Sequence, residues 1–260
     1  MSELSPPRRI ALALSYGAVT HAAFGLGVGS MVLCMGFGMQ LGQGPFVGPL
    51  AWVVNFFLLL QFPLVHSFLW AGPGRPWLAR LSPARGEDAK KLATTTYALI
   101  ASLQLALLFW GWSPSGIVWW QAEAGTLYAI LALYFAAWGF LGLAIVNAGI
   151  MLQSGALGWW ALLRDRAPKF PDLPTRYLYA LMRHPIYLAF SLTLWTVPTW
   201  SPDQLMVAIV WTGYCLLAPR WKEKRLEAIH GARFRAYRAR VPYFLPFTKG
   251  ASDAQRHPAQ

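Results

Sequence analysis

Long uninterrupted apolar stretches dominate the chain, and their lengths predict helices that cross a membrane. A helix needs roughly 20 such residues to cross the hydrocarbon core of a bilayer. Four stretches are long enough, and they cover residues 10–39, 47–71, 92–112 and 126–150. The first is longer than the apolar part of a signal peptide, which is about 7–15 residues, so we expect it to remain as a span.

Two shorter apolar stretches follow, over residues 186–200 and 204–219. We interpret them as a helical hairpin, with Pro185 in the first turn of its first helix, where a missing N–H costs nothing. The second helix is expected to continue over 220–230, with a kink at Pro219. The pattern therefore predicts an all-α, polytopic transmembrane protein of about six spans, ending in a helical hairpin.

Composition agrees with this interpretation. Of the 260 residues, 56% are hydrophobic and 12% are charged, whereas a soluble domain has about 25% charged residues. The apolar half, residues 1–150, holds four spans. Residues 151–247 hold a polar linker, the hairpin and a basic, aromatic tail. Residues 248–260 have the composition of a loop and are expected to be disordered.

Charge predicts the orientation of the spans. Lys and Arg collect in cytoplasmic loops. All 22 of them lie in four alternate connecting segments, while the other loops contain Glu123 and Asp203 and no basic residue. We therefore place both termini and these segments in the cytoplasm, where the cations meet anionic lipid headgroups. Nucleic-acid binding is not expected, since the basic residues are spread over loops. The four segments are 1–9, 72–91, 151–185 and 220–260.

Polar side chains inside apolar spans are costly, so each is a candidate for function. His66 and Asn147 lie near the predicted cytoplasmic ends of the second and fourth spans, level with Arg183 and His184. Either they line a pocket that opens to the cytoplasm, or they form hydrogen bonds with neighbouring helices. Four other polar residues are expected to join helices by hydrogen bonds; they are His21, Asn55, Gln61 and Gln104.

The predicted last helix carries Glu223, Glu227 and His230 at spacing i, i+4, i+7, which places them on one face. This pattern suits either a solvated helix end with salt bridges or a binding surface. We expect no metal site, because no second cluster of ligands is visible.

A pattern in several parts covers residues 183–242. It consists of Arg183-His184-Pro185-Ile186-Tyr187-Leu188-Ala189, then Glu223-Lys224-Arg225-Leu226, then His230-Gly231, Tyr237 and Val241-Pro242. This pattern resembles the membrane methyltransferase superfamily, which includes isoprenylcysteine carboxyl methyltransferase and the phospholipid N-methyltransferases. A weaker similarity, to the bacterial methanethiol S-methyltransferases and the NnrU-like proteins, rests on Val65-His66-Ser67, residues 108–112 and Asn147.

The chain departs from the superfamily pattern at several positions. Ala189 replaces a glycine, and Lys222 replaces the first glutamate of a pair. His230 and Phe234 replace a phenylalanine and a tyrosine, and Val65 replaces a glutamine. No histidine follows Asn147. The motif residues for the cofactor are mostly present, while the acceptor remains open.

The resemblance implies an S-adenosylmethionine site in a cytoplasmic pocket between the hairpin and the tail. It assigns the sulfonium to tyrosine rings, which attract cations, and the methionine carboxylate to Arg183. His184 and Glu223 are assigned to the ribose and adenine. His66 and Asn147 are the catalytic candidates, His66 as the base that deprotonates a thiol, amine or phenol. The remaining cofactor residues are Tyr179, Pro185, Tyr187 and Tyr237.

The implied acceptor is a small hydrophobic or lipid-like molecule, with a thiol favoured over an amine or a carboxylate. The implied location is a bacterial inner membrane. Two alternatives are a non-catalytic membrane component of the NnrU-like kind and an NADPH-dependent reductase on the same scaffold. The reductase is expected to need a longer chain and a nicotinamide site.

Overall fold

The computed structural model describes residues 4–246, and helices make up most of this range. Two short strands, β1 (Trp120–Gln121) and β2 (Thr199–Trp200), pair antiparallel. The all-α prediction is therefore confirmed, while the predicted disorder of 248–260 lies outside the described residues. The helices are α1 (Pro6–Gly36), α2 (Gly48–Ala71), α3 (Trp77–Arg80), α4 (Gly86–Gly111), α5 (Ala124–Asn147), α6 (Ile150–Gln153), α7 (Ala156–Leu163), α8 (Leu178–Leu181), α9 (Pro185–Trp195) and α10 (Pro202–Arg240).

Helices α1, α2, α4 and α5 are each long and apolar enough to cross a membrane. Large apolar side chains are exposed along them, among them Phe57, Leu64 and Phe135. Such extended apolar surface suits lipid rather than water. The chain is therefore an integral membrane protein. Helix α9 has 11 residues, about 16 Å at 1.5 Å per residue, so the count of six spans remains a prediction.

The chain forms two compact units. The first comprises the chain up to Ala122, Ile150–Phe170 and Pro198–Val207. The second comprises Glu123–Gly149, Pro171–Val197 and the chain from Ala208 onward. The functional division of the chain near residue 150 remains a prediction.

In the first unit, α4 packs against α1, α2 and α7. The Thr95 hydroxyl of α4 donates to the Gly155 carbonyl at 2.7 Å and accepts from the Trp159 amide at 2.8 Å, which satisfies backbone groups at the beginning of α7. A Cβ at Gly158 would lie 2.6 Å from that hydroxyl oxygen. A glycine here is what allows α7 to approach α4 so closely.

Three of the four polar residues predicted to join helices by hydrogen bonds do so, and the fourth, Asn55, joins α2 to the segment after α4. The Gln104 side-chain amide donates to the side-chain oxygen Oε1 of Gln61 at 2.6 Å, between α4 and α2. The Asn55 side chain bonds the backbone of Ser113 in both directions, at 2.8 and 3.0 Å. The predicted bond of His21 is present as well, since the Trp159 indole N–H donates to its Nε2 at 3.0 Å.

One end of the first unit carries a network of ion pairs. The Lys91 ammonium contacts Asp88 at 2.9 Å and Asp165 at 2.8 Å, and Arg9 contacts Asp165 at 3.0 Å. These residues lie in the first turns of α1 and α4 and directly after α7. The network therefore holds these helix ends together.

The other end of α1 leads to a buried carboxylate. Asp203, at the beginning of α10, is fully buried. It accepts from the Trp112 indole at 2.9 Å, the Gln40 amide at 3.0 Å and the Ser115 amide at 3.1 Å, and from the Ser115 hydroxyl. One carboxylate thus joins the segments that follow α1 and α4 to the start of α10.

The second unit is built on α5, α9 and α10. Helix α5 buries Tyr134, Ala137, Leu141 and Ala144, whose spacing forms one face, and it packs against α9. Helix α9 contacts α10 through the Trp195 indole, which donates to the Thr212 hydroxyl at 2.8 Å.

The two proline predictions have different outcomes. Pro185 lies in the first turn of α9, as predicted. Helix α10 continues past Pro219 over 220–230, as predicted, but its helical dihedral angles are interrupted at Gly231, with φ 49° and ψ −123°, rather than at Pro219. A positive φ favours glycine, so the break falls where the chain provides one.

We expect Asp203→Ala to destabilise the protein by about 3 kcal/mol or more, since it leaves several buried donors without an acceptor. Thermal unfolding in detergent, followed by tryptophan fluorescence, measures this change. Glu123→Ala is the control, because Glu123 is exposed and caps no helix through its side chain. Equal melting temperatures for the two variants would show that the Asp203 bonds contribute little.

Candidate functional site

A buried ionic cluster lies in the second unit, where α9 begins. One oxygen of Glu223, Oε1, accepts from Arg183 Nε at 2.7 Å and bonds His184 Nε2 at 2.8 Å. All three residues are buried. The predicted proximity of the Arg-His-Pro turn and the carboxylate of the long helix is confirmed. We call this group the Glu223 cluster.

Arg183 ties the C-terminal tail to the cluster. Its Nη1 donates to the carbonyls of Arg238 at 3.0 Å and Val241 at 2.5 Å. Its backbone N–H donates to the Pro242 carbonyl at 2.9 Å. The tail begins at these residues, so the carbonyl groups at the end of α10 accept hydrogen bonds from a cationic side chain. A single arginine thereby joins the beginning of α9, the carboxylate of α10 and the tail.

The charge states follow from burial and bonding. Burial lowers the pKa of His184, and the bond to Glu223 only partly opposes this, so the imidazole is neutral at pH 7. Burial by itself would raise the pKa of Glu223, but the hydrogen bonds from His184 and Arg183 bring it below its ordinary value. An ionised Glu223 requires the proton of His184 on Nε2, which makes Nδ1 the acceptor. That Nδ1 is buried and has no hydrogen bond within residues 4–246.

Aromatic rings surround His184. The ring centroids of Tyr243, Tyr187 and Phe244 lie 4.7, 5.9 and 6.0 Å from the imidazole. The Arg183 guanidinium lies 5.4 Å from the Tyr243 centroid. Sequence reasoning selected Tyr187 and missed Tyr243 and Phe244. The available signal was the aromatic pair that directly follows Pro242.

The other two predicted tyrosines contact each other. The Tyr237 hydroxyl donates to the Tyr179 carbonyl at 2.6 Å, and both side chains are buried. Tyr237 packs in an apolar cluster with Leu173, Phe234 and Val241. These contacts hold α8 to the last turns of α10, and the predicted role of the two tyrosines at a cofactor remains a prediction.

Asn147 and His66 have different surroundings. The Asn147 side-chain oxygen accepts from the Leu178 amide at 3.2 Å, directly after Tyr177, which has a φ of 54°. Asn147 thus supports a strained turn before α8. His66 belongs to the first unit, where its ring lies 4.8 Å from Tyr97 and 5.0 Å from Phe62. The catalytic roles of both residues remain predictions.

The three residues predicted to share one face of α10 lie in two different environments. Glu227 pairs with Arg238 at 2.9 Å. His230 Nδ1 lies 4.0 Å from Asp172. Both contacts are those of a salt-bridged helix end, whereas Glu223 belongs to the buried cluster. Within residues 4–246, no three His, Cys, Asp or Glu side chains are grouped as metal ligands.

Three curated relatives are methanethiol S-methyltransferases. The chain is 28% identical to methanethiol S-methyltransferase 2 of Bradyrhizobium diazoefficiens over 96% of both chains. It is 32% identical to the Crocosphaera subtropica enzyme, over 76% of this chain and 75% of that one. It is 30% identical to the Pseudomonas deceptionensis enzyme, over 76% and 74%.

The chain belongs to this family of membrane methyltransferases. The predicted resemblance and the interpretation as a methyltransferase are thereby confirmed. No protein-family model matches the sequence. No solved structure matches it. In this membrane methyltransferase, the Glu223 cluster with its aromatic rings is the candidate active site.

We expect Glu223→Gln to destabilise the methyltransferase by about 3 kcal/mol, because removing one partner leaves the Arg183 charge buried without a counter-ion. Glu227→Gln is the matched control on the same helix. Its ion pair with Arg238 is about one third exposed on each side, so its loss is expected to cost less than about 1 kcal/mol. Thermal unfolding in detergent compares the two. Equal destabilisation would contradict a special role for the Glu223 charge.

Proposed function

We propose that the protein transfers a methyl group from S-adenosylmethionine to a small hydrophobic thiol. The buried Glu223 cluster carries this proposal, since it occurs in a chain similar over most of its length to methanethiol S-methyltransferases. The names of those relatives favour sulfur as the acceptor atom over an amine or a carboxylate. We further propose that the site faces the cytoplasm from a bacterial inner membrane.

The side chains around His184 fit the proposed cofactor. His184 Nδ1 is a buried acceptor without a donor in the described part of the chain, which suits an amino group of adenine or a ribose hydroxyl. The rings of Tyr187, Tyr243 and Phe244 suit a planar base and a sulfonium, because aromatic faces stack on bases and attract cations. The negative charge of Glu223 favours a cationic ligand nearby.

We assign Arg183 two roles. Its Nε and Nη1 hold the Glu223 cluster and the tail, while Nη2 forms no hydrogen bond among residues 4–246 and can donate to the methionine carboxylate. Pro185, the first residue of α9, restricts the backbone of the turn that carries Arg183 and His184. The Tyr237 hydroxyl donates to the Tyr179 carbonyl, and this bond joins α10 to α8, which directly precedes the same turn.

The proposed reaction is an in-line displacement, to which the bound cofactor supplies an activated methyl group on a sulfonium. The main contribution of the chain is alignment of the acceptor sulfur with that carbon, which can account for several kcal/mol of the barrier. A thiol must also lose its proton, since the thiolate is the nucleophile. His66 is the candidate base predicted from the sequence.

We propose six spans, with α9 and the apolar part of α10 as the last two, and both termini in the cytoplasm. Two observations in the first unit support this topology. Asp165 forms ion pairs with both Arg9 and Lys91, and the three residues come from three predicted cytoplasmic segments. The predicted outer segments are joined at Asp203 instead.

Cysteine labelling tests the topology. Val118→Cys, in the segment between α4 and α5, is expected to react with an impermeant maleimide on intact spheroplasts. Lys169→Cys, which is also exposed, is expected to react only after permeabilisation. The two native cysteines are buried, so we expect them to react little with the maleimide and to give low background labelling. The reverse pattern would overturn the orientation.

Calorimetry with S-adenosylmethionine, on purified protein in detergent, tests the function. We expect the unaltered chain to bind, and His184→Ala to lose at least about tenfold in affinity, since one lost hydrogen bond in a buried site is worth about 1.5 kcal/mol. His230→Ala is the matched control, because this histidine contacts Asp172 near the helix surface. Transfer of labelled methyl groups to methanethiol and longer alkanethiols then identifies the acceptor. Folded protein that binds no cofactor would refute the proposal.

A further inference from the structure

Lys222 directly precedes Glu223 on α10, and its side chain is half-buried. Its ammonium nitrogen lies 5.6 Å from the centroid of the Tyr187 ring. Within residues 4–246, no carboxylate forms an ion pair with it. Most lysines keep the ammonium in water, so a lysine directed at an aromatic ring of the candidate site needs an explanation.

The surroundings of Lys222 make its ammonium more acidic than that of an ordinary lysine. Burial lowers the pKa of Lys222 to about 8, and the charge of Arg225 acts in the same direction, while Glu223 opposes both. The groups that face it are Arg225 and Glu223 on its own helix, Tyr187 on α9 and His184 at the beginning of α9. An ordinary lysine has a pKa of about 10.4. Near neutral pH, Lys222 therefore exchanges protons readily where an exposed lysine does not.

We propose that Lys222 is the general base that removes the proton from the acceptor thiol. This inference rests on the proposed function and extends it, because it names the residue that makes the site selective for acceptors that have a proton to lose. A carboxylate acceptor is already ionised and gains nothing from such a base. Lys222 thus favours a thiol or an amine over a carboxylate, and the names of the relatives favour the thiol of these two.

The step balances in atoms and charge. The S–H bond of the acceptor breaks and its proton joins the neutral Nζ of Lys222. The electron pair left on the acceptor sulfur forms the new bond to the methyl carbon. The bond from that carbon to the sulfonium breaks, and its electron pair stays on the cofactor sulfur. The ammonium of Lys222 then returns the proton to water.

This exchange also explains the position beside Tyr187. A bound sulfonium would bring one positive charge to the site, which would lower the pKa of Lys222 further. After the transfer, the single positive charge would lie on Lys222. The Tyr187 ring lies beside its ammonium, so the ring quadrupole would stabilise that charge.

Acetylation as a function of pH measures the pKa directly, without any cofactor. Acetic anhydride modifies neutral amines, and peptide mass spectrometry reports each lysine separately. Lys224, which is exposed on the same helix, is the internal reference. We expect Lys222 to reach half its maximal reactivity near pH 8, about two pH units below the value of an ordinary lysine. Equal profiles for the two lysines would overturn the proposal.

Kinetics of three variants test the role in the reaction. In the unaltered chain, kcat/KM for a thiol is expected to rise with pH through about 8, because the base works only when it is neutral. Lys222→Met is expected to lose about 10²–10⁴-fold at pH 7 and to regain rate only where the free thiol ionises. Lys222→Arg keeps the cation at all pH values and is expected to lose as much. Lys224→Met is expected to behave like the unaltered chain.

Cofactor affinity separates the possible failures. We expect Lys222→Met and Lys222→Arg to bind S-adenosylmethionine within about threefold of the unaltered chain. If the unaltered chain binds none, the proposed function fails. If binding is retained and the pH profile of Lys222→Arg is unchanged, only the role of Lys222 fails. Should Lys222→Met not fold, Lys222→Arg and the acetylation profile still decide.

Discussion

The second unit depends on one shared carboxylate oxygen. Glu223 Oε1 bonds both Arg183 and His184 in a buried position, where an unpaired charge would cost several kcal/mol. Because this oxygen satisfies the arginine, Arg183 can be buried and hold the tail carbonyls. Because it also accepts the hydrogen bond of the Nε2–H of His184, the remaining imidazole nitrogen is an acceptor among aromatic rings. The charge, the shape and the polarity of the candidate site therefore have a common origin.

The first unit shows how a membrane protein distributes its polar groups. Lipid offers no hydrogen bonds, so polar groups along a span must be satisfied within the protein, as Gln61 and Gln104 are. The charged groups instead gather at the two ends of α1, in the Lys91 network and around Asp203. The flanks of the spanning helices carry exposed apolar side chains. The polar groups at the helix ends are therefore paired within the protein, and the helix sides that face lipid carry apolar side chains.

One departure from the superfamily pattern, Lys222, can be interpreted from the residues that surround it. Lys222 replaces a glutamate of the pattern, and by itself this replacement could indicate lost activity. The structure places its ammonium over the Tyr187 ring, beside residues that the family resemblance assigns to the cofactor. A lysine in such a position changes the proton chemistry available to an acceptor without removing Glu223, Arg183 or His184. The replacement is thus compatible with a change of acceptor rather than a loss of function.

The sequence by itself determined the all-α membrane class, the four long spans, Pro185 at the start of α9 and the family. These features follow from local composition and from a linear motif, both of which can be identified without knowledge of contacts between distant residues. Helical spacing places Glu223 and Glu227 on one face of α10, and the linear motif selected Glu223. Only the tertiary structure shows that Glu223 is buried and paired, because its burial depends on residues 40 or more positions away: Arg183 contacts Glu223, and the tail brings Tyr243 and Phe244 to His184. Contacts between distant segments decide charge state and enclosure, and no local pattern encodes them.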